Sequence, residues 1–176
     1  MIRVVVTGSE CTGKTTLAKA LAEHYETVWV PEFIRGFVIE KGGPPTYADV
    51  EPIARGQIAL EDDLASEASK LLIHDTDLLS AVVYNRHYYG ECPRWLEEVF
   101  SKRTADLYLL AGIDVPWVAE GWLRDRGDRR EEMHELFRNA LLERQLNFTE
   151  VRGGHRERLA EAVSAIDSLM LGPAAK

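Results

Sequence analysis

The sequence predicts a three-layer α/β/α sandwich built on a central five-stranded parallel sheet. Three observations carry that expectation: five short apolar runs, the helix-periodic segments between them, and a glycine-rich loop joining the first run to the first helix. Strands that alternate with helices imply βαβ units, whose crossovers lay parallel strands side by side. At 176 residues the chain suits one domain, residues 1–176, with enough interior to cover both faces of such a sheet.

The elements follow in order. Ile2 to Thr7 reads as a buried strand, and Lys14 to about Tyr25 as the first helix. Thr27-Val28-Trp29-Val30 is a second strand closed by Pro31, and a helical turn from Glu32 to Glu40 runs into the break Gly42-Gly43-Pro44-Pro45. A long helix is expected from Tyr47 to Ser69, with Ile53, Ile58, Leu60 and Leu64 as its inner stripe. Leu71-Leu72-Ile73-His74 is a third strand ending in Asp75-Thr76-Asp77, and helices are expected over Leu78 to Tyr89 and Arg94 to Arg103. Leu107 to Leu110 makes the fourth strand. An arginine-dense stretch, residues 120–130, then leads to a helix with Met133, Leu136, Phe137 and Leu141 on one side. Asn147 to Val151 is the fifth strand. The last helix, Arg156 to Leu171, aligns Leu159, Val163, Ile166 and Met170 before Gly172-Pro173 ends it.

Bulk properties narrow the partners. A net charge of −8 offers no basic field for nucleic acid or an anionic lipid surface, and no apolar run is long enough to cross a bilayer. The first strand begins within two residues of the start, which leaves no room for a signal peptide. Cys11 and Cys92 have no metal-ligand spacing and read as thiols of a reducing compartment, so a cytoplasmic protein is expected. Oligomeric state is not legible.

The loop is Gly8-Ser9-Glu10-Cys11-Thr12-Gly13-Lys14-Thr15, followed by Thr16, and matches the phosphate-binding pattern G-x-x-x-x-G-K-[ST]. The strand before it and the helix after it are the context the motif needs. Gly8 and Gly13 let successive N–H groups curl toward phosphate oxygens, and the helix adds its own unpaired first-turn amides. Lys14 would bridge the β- and γ-phosphates of ATP, and the Thr15 hydroxyl would ligate Mg²⁺. The fold expectation sharpens to a P-loop NTPase of the nucleoside/nucleotide-kinase type.

Ligands of open parallel sheets bind beyond the carboxyl ends of the strands. Asp75 falls there and is the second metal-side candidate; a plain turn-former is the alternative. Asp77 reads equally as a substrate contact or as the cap of the next helix. Thr76 stands where hydrolytic P-loop motors carry a water-orienting glutamate, and no Asn-Lys-x-Asp guanine-reading motif exists, so phosphoryl transfer to a bound acceptor is favoured. Arg124, Arg126 and Arg129 lie in the 120–130 stretch, where a closing lid would bring positive charge onto the moving phosphoryl group; a solvated charged face is the alternative. Glu32 and Arg35, three apart on one helical face, would orient and deprotonate an acceptor hydroxyl, or form an ordinary ion pair.

The chain resembles the ribosylnicotinamide kinase domain of NadR-type proteins, a P-loop kinase family. The resemblance rests on the loop through Leu17, Glu32-Phe33-Ile34-Arg35, His74-Asp75-Thr76-Asp77, Pro116-Trp117-Val118-Ala119-Glu120-Gly121, and the stretch from Leu141 to Val151. It implies ATP-dependent phosphorylation of the 5′-hydroxyl of nicotinamide riboside to give nicotinamide mononucleotide. The family's adenylyltransferase motif is not found, so adenylylation is not expected. The family's stacking tryptophan before the Glu-x-x-Arg glutamate is Pro31 here, and Trp29, two residues earlier, is expected in the core. Two other readings stay open: an ATP-binding switch or ATPase module without an acceptor, and a nucleoside-monophosphate kinase using Arg35 and Arg86 for the acceptor phosphate.

Overall fold

The computed structural model describes residues 1–116 and 129–172. In chain order its elements are β1 (Ile2–Thr7), α1 (Lys14–His24), β2 (Trp29–Val30), α2 (Phe33–Lys41), a 3₁₀ turn (Tyr47–Asp49) and α3 (Val50–Ala65). These are followed by β3 (Leu71–Asp75), α4 (Leu78–Tyr89), α5 (Arg94–Ser101), β4 (Leu107–Ala111), α6 (Arg130–Glu143), β5 (Phe148–Val151) and α7 (His155–Leu171). β1 sends Val4 and Val6 to one side and Val5 to the other, and all three are buried, so both faces must be covered. α1 and α7 pack over Val4, Val6, Ile73 and Leu109; α3 to α6 pack over Val5, Tyr108 and Leu110.

The strands form one parallel sheet in the order β2-β3-β1-β4-β5. Ile2 lies opposite Leu71 and Val4 opposite Leu107, so β1 is flanked by strands from far along the chain. The strand order reverses at β1, which opens a crevice at its carboxyl end, where the glycine-rich loop begins. The five-stranded sheet and its helix layers agree with the sequence expectation.

Several boundaries and faces differ. β2 is only Trp29–Val30, although Thr27 still donates its hydroxyl to the Leu71 carbonyl at 2.6 Å. α3 stops at Ala65, and its buried stripe is Val50, Ala54, Gln57 and Glu61; Ile53, Ile58, Leu60 and Leu64 are half-buried. That face carries hydrogen bonds to Phe33 of α2 and to Arg103, just beyond α5, so its polarity hid it from an apolar-periodicity reading. In α7 the inward row is Arg158, Ala162 and Ile166, while Met170 is exposed. The expected lid residues Arg124 and Arg126, with Trp117 to Gly121, lie outside the described residues.

Candidate active site

The loop after β1 has the backbone that its glycines predict. Gly8 takes φ 130, with the place of a Cβ only 3.1 Å from the Ala111 carbonyl oxygen, so the loop leaves tight against β4. Cys11 at φ 56 and Gly13 at φ 77 are left-handed, and such alternation turns neighbouring amides into one concavity. Thr12 Oγ1 and Lys14 Nζ both donate to the Ser9 carbonyl, at 2.8 and 2.7 Å, drawing the loop onto itself. Gly13 caps α1 without a side chain and no acid sits in the first turn, which leaves that helix terminus suited to an external anion.

β3 delivers Asp75 beside this loop, through the pairing of Asp75 with Val6. Thr15 Oγ1 donates to Asp75 Oδ2 at 2.6 Å. Asp75 is 1% exposed, and burial pushes its carboxyl up; the Thr15 hydrogen bond pulls it down, the Glu32 charge raises it, and Lys14 and Arg35 lower it. Its Oδ1 is buried with no partner among the described residues. Thr76, next in sequence, is left-handed at φ 70, a costly conformation for a β-branched residue. It is held by its N–H on the Val6 carbonyl at 3.0 Å and by a hydroxyl pair with Ser80. A hydroxyl and a carboxylate with an orphaned oxygen, side by side at a phosphate loop, fit Mg²⁺, which takes few protein ligands and completes its shell from phosphate and water. No cluster of three or more acidic, histidine or cysteine ligands exists among the described residues.

Glu32 and Arg35 enter from α2. They pair at 2.8 Å, with Glu32 at the N-cap position, and both charges act on the Asp75 carboxyl. Its first turn is pinned to α3: the Phe33 N–H donates to Gln57 Oε1 at 2.9 Å, and the Phe33 ring lies where a Gly56 side chain would be. A hollow of about 460 Å³ beside it is lined by Pro31, Phe33, Gly36, Phe37 and Leu60, with the charged residues Glu32, Arg35 and Glu40. Trp29 is not part of it; it packs on the α1 side of the sheet, with Lys19 Nζ 5.2 Å from its ring centre.

Three expected site residues are otherwise engaged. Asp77 turns inward at 7% exposure: it caps α4 through the Leu79 N–H at 3.0 Å and accepts the Tyr108 hydroxyl at 2.9 Å. The capping reading therefore replaces the substrate contact, because both oxygens are spent in the interior. Arg129 forks onto Glu132 with two 3.0 Å bonds, the usual fate of an arginine three before an acid at a helix start; its neighbour Arg130 is the one that reaches the loop. Arg86 pairs with Glu97 at 2.5 Å.

Sequence reasoning missed Gln57, Glu61 and Arg158. Glu61 is buried between Gln57 and Arg103 (3.2 Å), close enough to Asp77 to disfavour its charge. The available signal was phase: Gln57 and Glu61 continue the row of Val50 and Ala54, and Arg158 the row of Ala162 and Ile166. A polar residue in an inward row marks a buried network.

Comparison with known proteins places the family and the fold. Residues 3–158 match the family model of an AAA domain. The chain is 30% identical over 154 residues to the trifunctional NAD biosynthesis/regulator protein NadR of Escherichia coli (strain K12), covering 84% of this chain and 37% of that protein. It thus spans well under half the length of that curated relative. A NadR protein in complex with NR superposes with a TM-score of 0.77 and 23% identity, over 99% of this chain and 51% of that one. A thymidylate kinase from Ehrlichia chaffeensis superposes with a TM-score of 0.69 and 12% identity, over 95% and 98%. The two superpositions establish the fold.

Proposed function

The chain belongs to the AAA domain family, and from that premise we propose that it is an ATP-dependent kinase that phosphorylates the 5′-hydroxyl of a nucleoside, nicotinamide riboside, to give nicotinamide mononucleotide. One observation carries the reading: a single buried carboxylate, Asp75, bonds Thr15 and feels the charges of Glu32, Lys14 and Arg35 together. This supports a scheme in which the phosphate-loop cation, the metal-side oxygens and the acceptor-side carboxylate act on one centre, as transfer between two bound partners requires.

In this scheme the amides of the loop and Lys14 hold the triphosphate. The Glu32 carboxylate accepts the proton of the acceptor hydroxyl as its oxygen bonds the γ-phosphorus; the bond from that phosphorus to the β,γ-bridging oxygen breaks and ADP leaves. Arg35 orients Glu32. Thr15 and Asp75 would hold Mg²⁺, which neutralises charge on the phosphates. Arg124 and Arg126 are proposed to add charge from the lid side. The NadR relative and the NR complex support nicotinamide riboside; the hollow at α2 would offer a cationic pyridinium ring the Phe33 and Phe37 rings and Glu40, with Arg35 held on Glu32.

The test is a coupled ADP-release assay over a panel of nucleosides and nucleoside monophosphates. Release with nicotinamide riboside should exceed the acceptor-free rate by about 10² or more. No acceptor-dependent release at ample enzyme would leave an ATP-binding switch, and release only with monophosphates would make the chain a nucleotide kinase.

A further inference from the structure

We propose that Arg158 and Arg130 are paired positioning residues that keep the phosphate loop in its anion-binding shape, each locking one peptide plane from behind. A trans peptide points its N–H and its C=O in opposite directions. Arg130 Nη2 donates to the Cys11 carbonyl at 3.1 Å, and Arg158 Nη1 to the Thr12 carbonyl at 2.6 Å. Those oxygens share their peptide planes with the N–H groups of Thr12 and Gly13. Fixing both carbonyls on one side aims both amides to the other, into the concavity made by left-handed Cys11 and Gly13.

The rest of each guanidinium is anchored. Arg158 is 4% exposed and donates to the carbonyls of Gly112 and Gly153, each at 2.9 Å, and to Asp114 Oδ1 at 2.6 Å. One side chain thereby ties the loop after β1 to the ends of β4 and β5. Arg130 donates to the Val115 carbonyl at 2.6 Å. A cation on a carbonyl also polarises the amide across the same peptide, making it a better donor to phosphate. The two guanidiniums repel one another, and Asp114 offsets the charge of both, in direct contact with Arg158. The preference for arginine follows from geometry, because a lysine ammonium cannot span four acceptors in a planar fork.

The inference rests on the kinase reading only in taking a nucleotide as the loop's ligand. Its test therefore measures binding without any acceptor, so failure of the acceptor assignment leaves it readable. Arg130→Met and Arg158→Lys, in the whole chain, are titrated calorimetrically with MgATP and with tripolyphosphate, alongside thermal unfolding. Each should weaken both ligands about tenfold, the worth of one lost charge-assisted hydrogen bond, with Arg130→Met melting close to wild type. Wild-type affinity in Arg130→Met overturns the proposal, as does a variant that melts lower yet binds as tightly, since that is scaffolding alone. Should Arg158→Lys fail to fold, Arg130→Met decides the matter.

Discussion

Gly56→Ala adds one methyl group on α3 where the Phe33 ring now lies. A Cβ there would stand 2.2 Å from Cε1 and Cζ of that ring and 2.7 Å from Cδ1. Carbon atoms settle at about 3.5 Å or more, so the ring must retreat by roughly 1.3 Å. Phe33 is the first residue of α2 and directly follows Glu32, the proposed acceptor carboxylate, so the retreat should be felt there. The substitution improves helix propensity by about 1 kcal/mol while overpacking costs about 1–3 kcal/mol, leaving a net loss of about 0–2 kcal/mol. Turnover is far more sensitive: a displacement of about 1 Å at a reacting group costs about 10². Steady-state kinetics and a melting curve should therefore show turnover down by that factor, the melting temperature little changed, and KM for ATP unchanged, because the anchors of the phosphate loop do not involve α2. Phe33→Ala makes room for the new methyl, so adding Gly56→Ala to it should cost little further turnover. Wild-type turnover in Gly56→Ala, or the same loss in the Phe33→Ala background, would refute the reasoning.

Two further outcomes follow from the site. Lys14→Ala should reduce turnover by 10² or more, since one phosphate contact at the reacting centre is worth about 3–4 kcal/mol; activity within tenfold of wild type would remove Lys14 from its assigned role. The Asp77 carboxyl is pushed up to about 7, by burial first and by the Glu61 charge second, against 3.8 for an ordinary aspartate. The folded chain holds this proton to higher pH than the unfolded one, so the stabilisation is complete below about pH 4 and lost as pH rises through about 7. Melting temperature should fall less between pH 5 and 8 in Asp77→Asn than in wild type, and an equal fall would falsify the assignment.

The sheet was legible because its strands are apolar runs bounded by turn signals, and the phosphate loop because Gly8 and Gly13 stand at a fixed spacing around it. Asp75 was singled out by position alone; it ends β3 and accepts the Thr15 hydroxyl. The inner face of α3 was not legible, since hydropathy treats Gln57 and Glu61 as solvent-facing. Their burial makes sense only once Phe33 and Arg103, distant in sequence, arrive to satisfy them. Asp77 shows the same limit: an N-cap and a ligand contact look alike in sequence, and the Tyr108 hydroxyl from β4 decides between them. Local pattern reads backbone; long-range polar partners are read only in three dimensions.

The placement of β1 between β3 and β4 has a cost during synthesis. Val4 leaves the ribosome more than a hundred residues before Leu107, its partner on β4. At translation rates of about 5–20 residues per second, that edge of the nascent strand stays bare for roughly 5–20 s. An unpaired apolar edge is a template for pairing with a neighbouring chain. The glycine-rich segment is thus made well before β4 and completed late, so ligand present during translation cannot rescue a chain stalled before β4, and such stalled chains are where aggregation would begin.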